Sequence, residues 1–208
     1  MKILTRSLSA ARNRVVPQRH LGLILSVDLQ SSEERDSIAL PYQITRCEDP
    51  AAIAAFYRPL RQDEDAAAAT QRLASGAHCW IASDETAIRG AAWVQFGSVD
   101  LPALSGRCFT PTGHVTFGPG VCYVCRQAVD EHFRGQHINT GLLLAMAAFY
   151  GSRGDTAMVA TMGASNAPNV RSWMHLGAML EGIVRVGSLL GIVRRTEIYM
   201  DSRRAHWQ

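Results

Sequence analysis

From residue 41 onward the apolar positions fall into short runs and longer stretches that alternate along the chain. Runs rich in Val, Ile, Ala and aromatic residues read as strands: PYQITRC at 41–47, HCWIAS at 78–83, IRGAAWVQFG at 88–97, VCYVCRQAV at 121–129 and TAMVAT at 156–161. Two further strands close the chain near 179–187 and 192–200. Asp49-Pro50 opens an alanine-rich helix, with the carboxylate as cap and proline at the first helical position. A second helix covers 63–75, its acids gathered at the positive end of the helix dipole. An apolar helix spans 139–150 and a fourth spans 167–176.

The segments 78–83 and 88–97 are joined by the short turn DETA, which predicts an antiparallel hairpin. Residues 98–119 are rich in Gly, Pro, Ser and Thr and long for a loop, with a short strand at 114–117. The order strand, helix, helix, three strands, helix, strand, helix, two strands predicts a mixed sheet covered by helices, in the α/β class.

Residues 1–40 are less regular: LGLILSV at 21–27 reads either as a strand or as part of a helix, and SSEERDS at 31–37 is a polar break. Residues 1–20 carry Lys2, Arg6, Arg12, Arg14 and Arg19 and no acid. The division expected is therefore a basic N-terminal extension over 1–40 and one domain over 41–203. The arm reads as solvated, with contact to a membrane surface left open.

Composition narrows the function classes. A chain of 208 residues can bury ~70% of the surface its unfolded form exposes, enough for one core without staples. The apolar fraction of 47% and charged fraction of 19% suit a globular chain, and a net charge of +3 is too small to imply a nucleic-acid partner. No apolar run approaches the ~20 residues that span a bilayer, and the N-terminus lacks a secretory pattern, so the default location is cytoplasmic. Five cysteines, an odd number, argue against a disulfide framework. Cys122 and Cys125 form a CxxC, but on a strand residues three apart point to opposite faces, which reads as two small core residues rather than a metal or redox pair.

The chemistry concentrates in AVDEHFRGQHINTGLLLAMA, from Ala128 to Ala147. A strand ending near Val129 leads through a tight turn into a helix whose orphan N–H groups and positive dipole end favour an anion such as a pyrophosphate. Arg134 adds a guanidinium fork, and Gly135 lets backbone amides come close. This segment resembles the acyl-CoA-binding motif of the GNAT (acyl-CoA N-acyltransferase) superfamily, Q/R-x-x-G-x-G/A. SNAPNVRSWMHLGAMLEG, Ser165 to Gly182, resembles the same family's later helix and strand, N-x-x-A-x-x-x-Y-x-K-x-G-F.

The resemblance covers about residues 41–200. It implies a mixed, mostly antiparallel central sheet flanked by helices (α+β in some schemes) and an acyl-CoA-dependent N-acyltransferase, most simply moving acetyl from acetyl-CoA, with no metal. A catalytically weak or inactive member of the fold, acting as a binding or regulatory module, is the alternative. The implied cofactor-binding residues are Val129, Arg134, Gly135, Gln136, His137, Ile138, Asn139, Thr140, Asn166, Asn169 and Trp173.

The departures from the family pattern matter. His137 and Asn139 stand where glycines are usual; an asparagine tolerates the left-handed conformation, whereas a β-carbon at His137 narrows the cradle. A second register, from Gln136, places Asn139 and Gly141 at the same two positions. Trp173 stands where many relatives carry a tyrosine that protonates the departing thiolate, and an indole N–H cannot do so. Asn166, Asn169 and Trp173 share one helix face, although Asn166 also suits a helix cap.

The candidate catalytic residues are His114 as base and Tyr123 as a hydroxyl donor, with His132, His175 and Asp130 as further bases. The acceptor expected is the amine of a small molecule or peptide. Leu189 and Leu190 fall at the tip of the closing hairpin, where two leucines are costly to leave wet, so they are expected to pack on the domain itself, on a second subunit as in a homodimer, or on an apolar substrate.

Overall fold

The computed structural model describes residues 18–31, 39–60, 64–101, 113–189 and 192–200. In chain order the elements are β1 (Gln18–Asp28), β2 (Gln43–Cys47), α1 (Pro50–Tyr57), α2 (Ala66–Ala74), β3 (His78–Ser83), β4 (Ile88–Phe96), β5 (Ser98–Leu101) and β6 (Gly113–Thr116). They continue with β7 (Val121–Val129), α3 (Ile138–Ser152), β8 (Ala157–Gly163), α4 (Ala167–His175), β9 (Met179–Leu189) and β10 (Ile192–Met200). Short 3-10 turns lie at Arg58–Leu60 and Glu131–Phe133. The basic residues of 1–17, Cys108 and Leu190 lie outside the described residues, as does the side chain of Leu189.

One sheet takes eight strands in the order β10-β9-β1-β8-β7-β4-β3-β2, while β5 and β6 pair separately. Its neighbours are antiparallel except β7 and β8. The fold is therefore mixed α/β with a mostly antiparallel central sheet. Strand β1 sits between β8 and β9, so the sheet draws on residues well before 41 and the expected boundary there does not mark an edge of it. LGLILSV suits that place because Ile24, Leu25 and Val27 are all buried, on both faces of the strand, as a central strand requires.

Alternation along the strands sorts the core into two sides. Leu25, Trp80, Val94, Cys122 and Val124 face the helices α3 and α4. Their neighbours Ile24, Val121 and Tyr123 face Val99 and Phe117 around the β5–β6 pair, and Cys79 and Trp93 face Ile53, Phe56 and Tyr57 of α1. Cys122 and Cys125 thus lie on opposite faces, and burial pushes each thiol up to about 12. Among the described residues no group of three or more His, Cys, Asp or Glu could hold a metal ion. No helix among them is long and apolar enough to cross a membrane.

The helix starts follow the sequence signals. Asp49 accepts from the Ala51 and Ala52 N–H groups at the head of α1, and Asp65 accepts from Ala68 N–H at the head of α2. Glu64 does something other than dress a helix dipole. Its side chain is fully buried between Arg72 at 3.2 Å and Arg126 at 2.8 Å.

Two features open the sheet. Parallel strands β7 and β8 pair only from Val121↔Ala157 to Tyr123↔Val159 and then diverge. Just beyond, a β-bulge sets two residues, Arg126 and Gln127, against one residue of β4, with Arg126 at φ 50°. The bulge is held by the Tyr57 hydroxyl, which donates to the Arg126 carbonyl at 2.8 Å.

Candidate active site

Beyond the bulge, β7 ends at Val129 and the chain must turn sharply into α3. Asp130 fixes the first part of that turn: its N–H donates to the Arg89 carbonyl and its carboxylate accepts from His132 N–H at 3.0 Å. The Arg89 guanidinium lies 4.1 Å from the centre of the Phe133 ring and bonds Asp84 at 2.6 Å, latching the turn to the β3–β4 hairpin. Gly135 then takes φ 80° and His137 takes φ 57°, and α3 begins at Ile138.

The left-handed residue is thus His137, at the position where the pattern has glycine, while Asn139 sits inside the first helical turn. The first bond within α3 runs from Gly141 N–H to the His137 carbonyl, so the N–H groups of residues 138–140 have no acceptor inside the helix. His137 makes no side-chain cap either. Free amides and the positive helix end lie beside exposed Arg134 at the cleft, an arrangement whose chemistry suits an anion. Gly90 lets it form where it does: a β-carbon there would stand 2.6 Å from Cγ2 of Ile138, the first residue of α3.

The cradle opens into a cleft of about 1710 Å³ that passes the end of β7 between α1 on one side and α4 on the other. Its α1 side is largely apolar, with Ala52, Phe56, Pro59, Leu60 and Ile88. Its α4 side is polar, with Asn166, Asn169, Arg171, Ser172 and His175. The two segments that resemble the family, 128–147 and 165–182, meet at this cleft, where β7 and β8 part.

At the floor four side chains bond one another. Gln127 Nε2 donates to Asn139 Oδ1 at 3.1 Å, Asn139 Nδ2 to Asn169 Oδ1 at 3.0 Å, and Asn169 Nδ2 back to Gln127 Oε1 at 3.2 Å. Trp173 Nε1 adds a donation to Gln127 Oε1 at 3.1 Å.

Residues 42–178 match the family model described as Acetyltransferase (GNAT) family. The chain belongs to this family. Among solved structures, the GNAT chain is similar to a glucosamine N-acetyltransferase region of a fungal multi-domain β-N-acetylglucosaminidase, with TM-score 0.57 and 13% identity over 90% of this chain and 23% of that one. It is similar to a GCN5-related N-acetyltransferase from Sphaerobacter thermophilus, with TM-score 0.55 and 13% identity over 98% of this chain and 59% of that one. A GNAT acetyltransferase from Colwellia psychrerythraea matches with TM-score 0.52 and 12% identity over 95% and 62%. At these identities the likeness shows the fold, and the chain spans only 23–66% of the length of the first structures it matches. Among curated proteins none matches significantly. Family membership supports acyl-CoA-dependent acetyltransferase activity in general, on a fold that typically binds acyl-CoA.

Of the residues the GNAT pattern implies for the cofactor, Val129, Arg134, Gly135, His137, Ile138, Asn139, Thr140, Asn166 and Asn169 line the cleft. Gln136 turns aside, accepting from the Tyr42 hydroxyl, and Trp173 is 0% exposed beneath the floor. Asn166 stands at the N-cap position of α4 but makes no side-chain cap bond, leaving its amide exposed at the cleft. Asp130, His132 and His175 also line the cleft.

The structure puts Tyr123 elsewhere. It is 1% exposed, stacked on Phe117, with its hydroxyl bonded to Thr161 at 2.6 Å and burial holding its pKa well above the usual phenol value. His114 lies on β6 opposite Asp100, and its side chain is outside the described residues. Sequence reading missed Gln127, Arg89 and Arg171. Gln127 carried a signal, a polar residue near the end of an otherwise apolar strand.

Proposed function

We propose that this protein is an acyl-CoA-dependent N-acyltransferase that moves an acetyl group from acetyl-CoA to an amine by direct attack on the thioester. The observation that carries the reading is the turn at the head of α3, where free backbone amides, Gly135 and Arg134 line a cleft of about 1710 Å³ that continues past the end of β7 to α4. The diphosphate of coenzyme A would lie on the cradle, and its arm would run inward along β7 toward the bulge. The α1 side would receive the acceptor, and its apolar lining suits an amine carried on an apolar group.

In the reaction the amine nitrogen forms a bond to the acyl carbon, the C–S bond breaks, and the electron pair leaves on sulfur. The attacking amine must be neutral, so its proton passes to water or to an imidazole at the cleft, His132 or His175. The same proton inventory returns one to the thiolate from solvent, since the buried Trp173 offers no acid.

The reading is tested by following free thiol release from acetyl-CoA with a panel of primary amines differing in apolar content. Turnover with apolar amines, abolished or cut at least tenfold in kcat/KM by Arg134→Ala, supports it. Tight acetyl-CoA binding with no turnover on any amine favours the regulatory-module alternative, which Trp173 in the tyrosine position motivates.

A further inference from the structure

Three cysteines lie on the side of the sheet that faces α1 and α2: Cys47 of β2, Cys79 of β3 and Cys125 of β7. The reaction proposed above uses none of them. Strand register sorts them. Cys47 stands directly opposite Cys79 in the antiparallel β2–β3 pair, whereas Cys125 stands opposite Trp93, so that β4 separates it from Cys79. Two strand spacings, about 9–10 Å, are too far for a bond between those two sulfurs. Cys122 packs on the other side of the sheet.

Residues directly opposite each other in an antiparallel pair have Cα atoms about 4.5–5.5 Å apart, inside the range of about 4.4–6.8 Å that a disulfide spans. Their Cβ atoms, about 4.5–5.5 Å apart, must close to about 4.5 Å or less, so one strand has to give by up to about 1 Å. Strand β2 is the one that can. It has five residues and lies at the edge of the sheet, bonded on one side only. A bridge made in this way stores strain and is therefore readily reduced.

The two thiols differ in access. Cys47 is half-buried, whereas Cys79 is 1% exposed. Burial holds the Cys79 thiol well above its ordinary pKa, and the neighbouring Cys47 adds to the rise. Cys47 is thus the group that an incoming reagent meets, and Cys79 acts second.

We propose that Cys47 and Cys79 form a reversible cross-strand disulfide site, oxidised by a low-molecular-weight disulfide. The Cys47 sulfur attacks one sulfur of the reagent, the reagent's S–S bond breaks, and its other half leaves as a thiol. The Cys79 sulfur then attacks the Cys47 sulfur, the mixed disulfide breaks, and the second half leaves. The protein gives up two electrons and two protons, and the reagent takes them up as two free thiols. The bridge fastens β2 to β3 two residues before Asp49, the cap of α1, and so ties down the helix whose Ala52 and Phe56 line the cleft. The site does not depend on which acyl donor or acceptor the cleft takes.

The test treats the native protein with oxidised glutathione, blocks the remaining thiols and maps unreduced peptides by mass spectrometry, on wild type, Cys79→Ala and Cys47→Ser. Wild type is expected to lose the Cys47 and Cys79 thiols together, to yield their two peptides joined, and to recover both thiols with excess dithiol. Cys79→Ala should keep one glutathione on Cys47, because no thiol stands opposite to displace it. Cys47→Ser should carry none on Cys79. Cys122, 0% exposed, should stay reduced throughout, which reports that the native fold persists. Wild type that keeps glutathione on Cys47, leaves Cys47 unmodified, or joins it to any cysteine other than Cys79 overturns the proposal.

Discussion

A histidine at φ 57° is the residue that most sets this cradle apart. An L-residue in the left-handed region costs roughly 1–2 kcal/mol, and glycine escapes that cost but gives back roughly 0.5–1 kcal/mol of chain entropy. His137→Gly is therefore expected to stabilise the protein by no more than about 1.5 kcal/mol in urea unfolding, with acetyl-CoA affinity retained. A fall in affinity with a normal unfolding curve would show the imidazole to be a phosphate ligand. The sequence marked His137 as the departure to watch. It could not show that the left-handed turn falls there and not at Asn139, because either register fits the motif and only the start of α3 decides between them.

Among the elements, the join between α2 and β7 is the one most exposed to a single change. Glu64, just before α2, is buried against Arg72 of α2 and Arg126 of the bulge, and burial raises its pKa despite both arginines. Arg126→Met leaves a buried carboxylate short of a partner and is expected to cost about 3–5 kcal/mol at neutral pH. The sign of the pH dependence follows from the raised pKa: protonation relieves the penalty, so the deficit shrinks as pH falls through the acid range and grows as it rises. Denaturation of Arg126→Met and of Arg126→Met with Glu64→Gln at two pH values checks this. A single variant as destabilised at acid pH as at neutral pH contradicts it.

Most elements were legible because each carries its own local signal. Asp49-Pro50 announced α1, the DETA turn announced the β3–β4 hairpin, and the apolar run after Asn139 announced α3. The bulge at Arg126 and Gln127 was not legible, since an extra residue in a strand leaves the alternation on either side looking intact. The ring of Gln127, Asn139 and Asn169 on the cleft floor was equally hidden. Its members are 12 to 42 positions apart and meet only through the fold.

At the scale of the whole molecule, an interior strand of the sheet is one that local patterning left undecided. Strand β1 is apolar on both faces, a pattern that fits a buried strand and a buried helix alike, and its place between β8 and β9 depends on partners more than a hundred residues away. With β1 in place, β8 is held on its far side while β7 is free to diverge from it, and the cleft that results joins the two segments on which the family resemblance rested. The account's central claim is that this cleft holds an acyl-CoA with its diphosphate at the head of α3. Calorimetric titration of acetyl-CoA into wild type and Arg134→Ala tests it most directly. The account predicts saturable binding in the micromolar range, weakened about tenfold by the loss of one charge-assisted contact. No binding to wild type, or equal affinity in the two proteins, contradicts it.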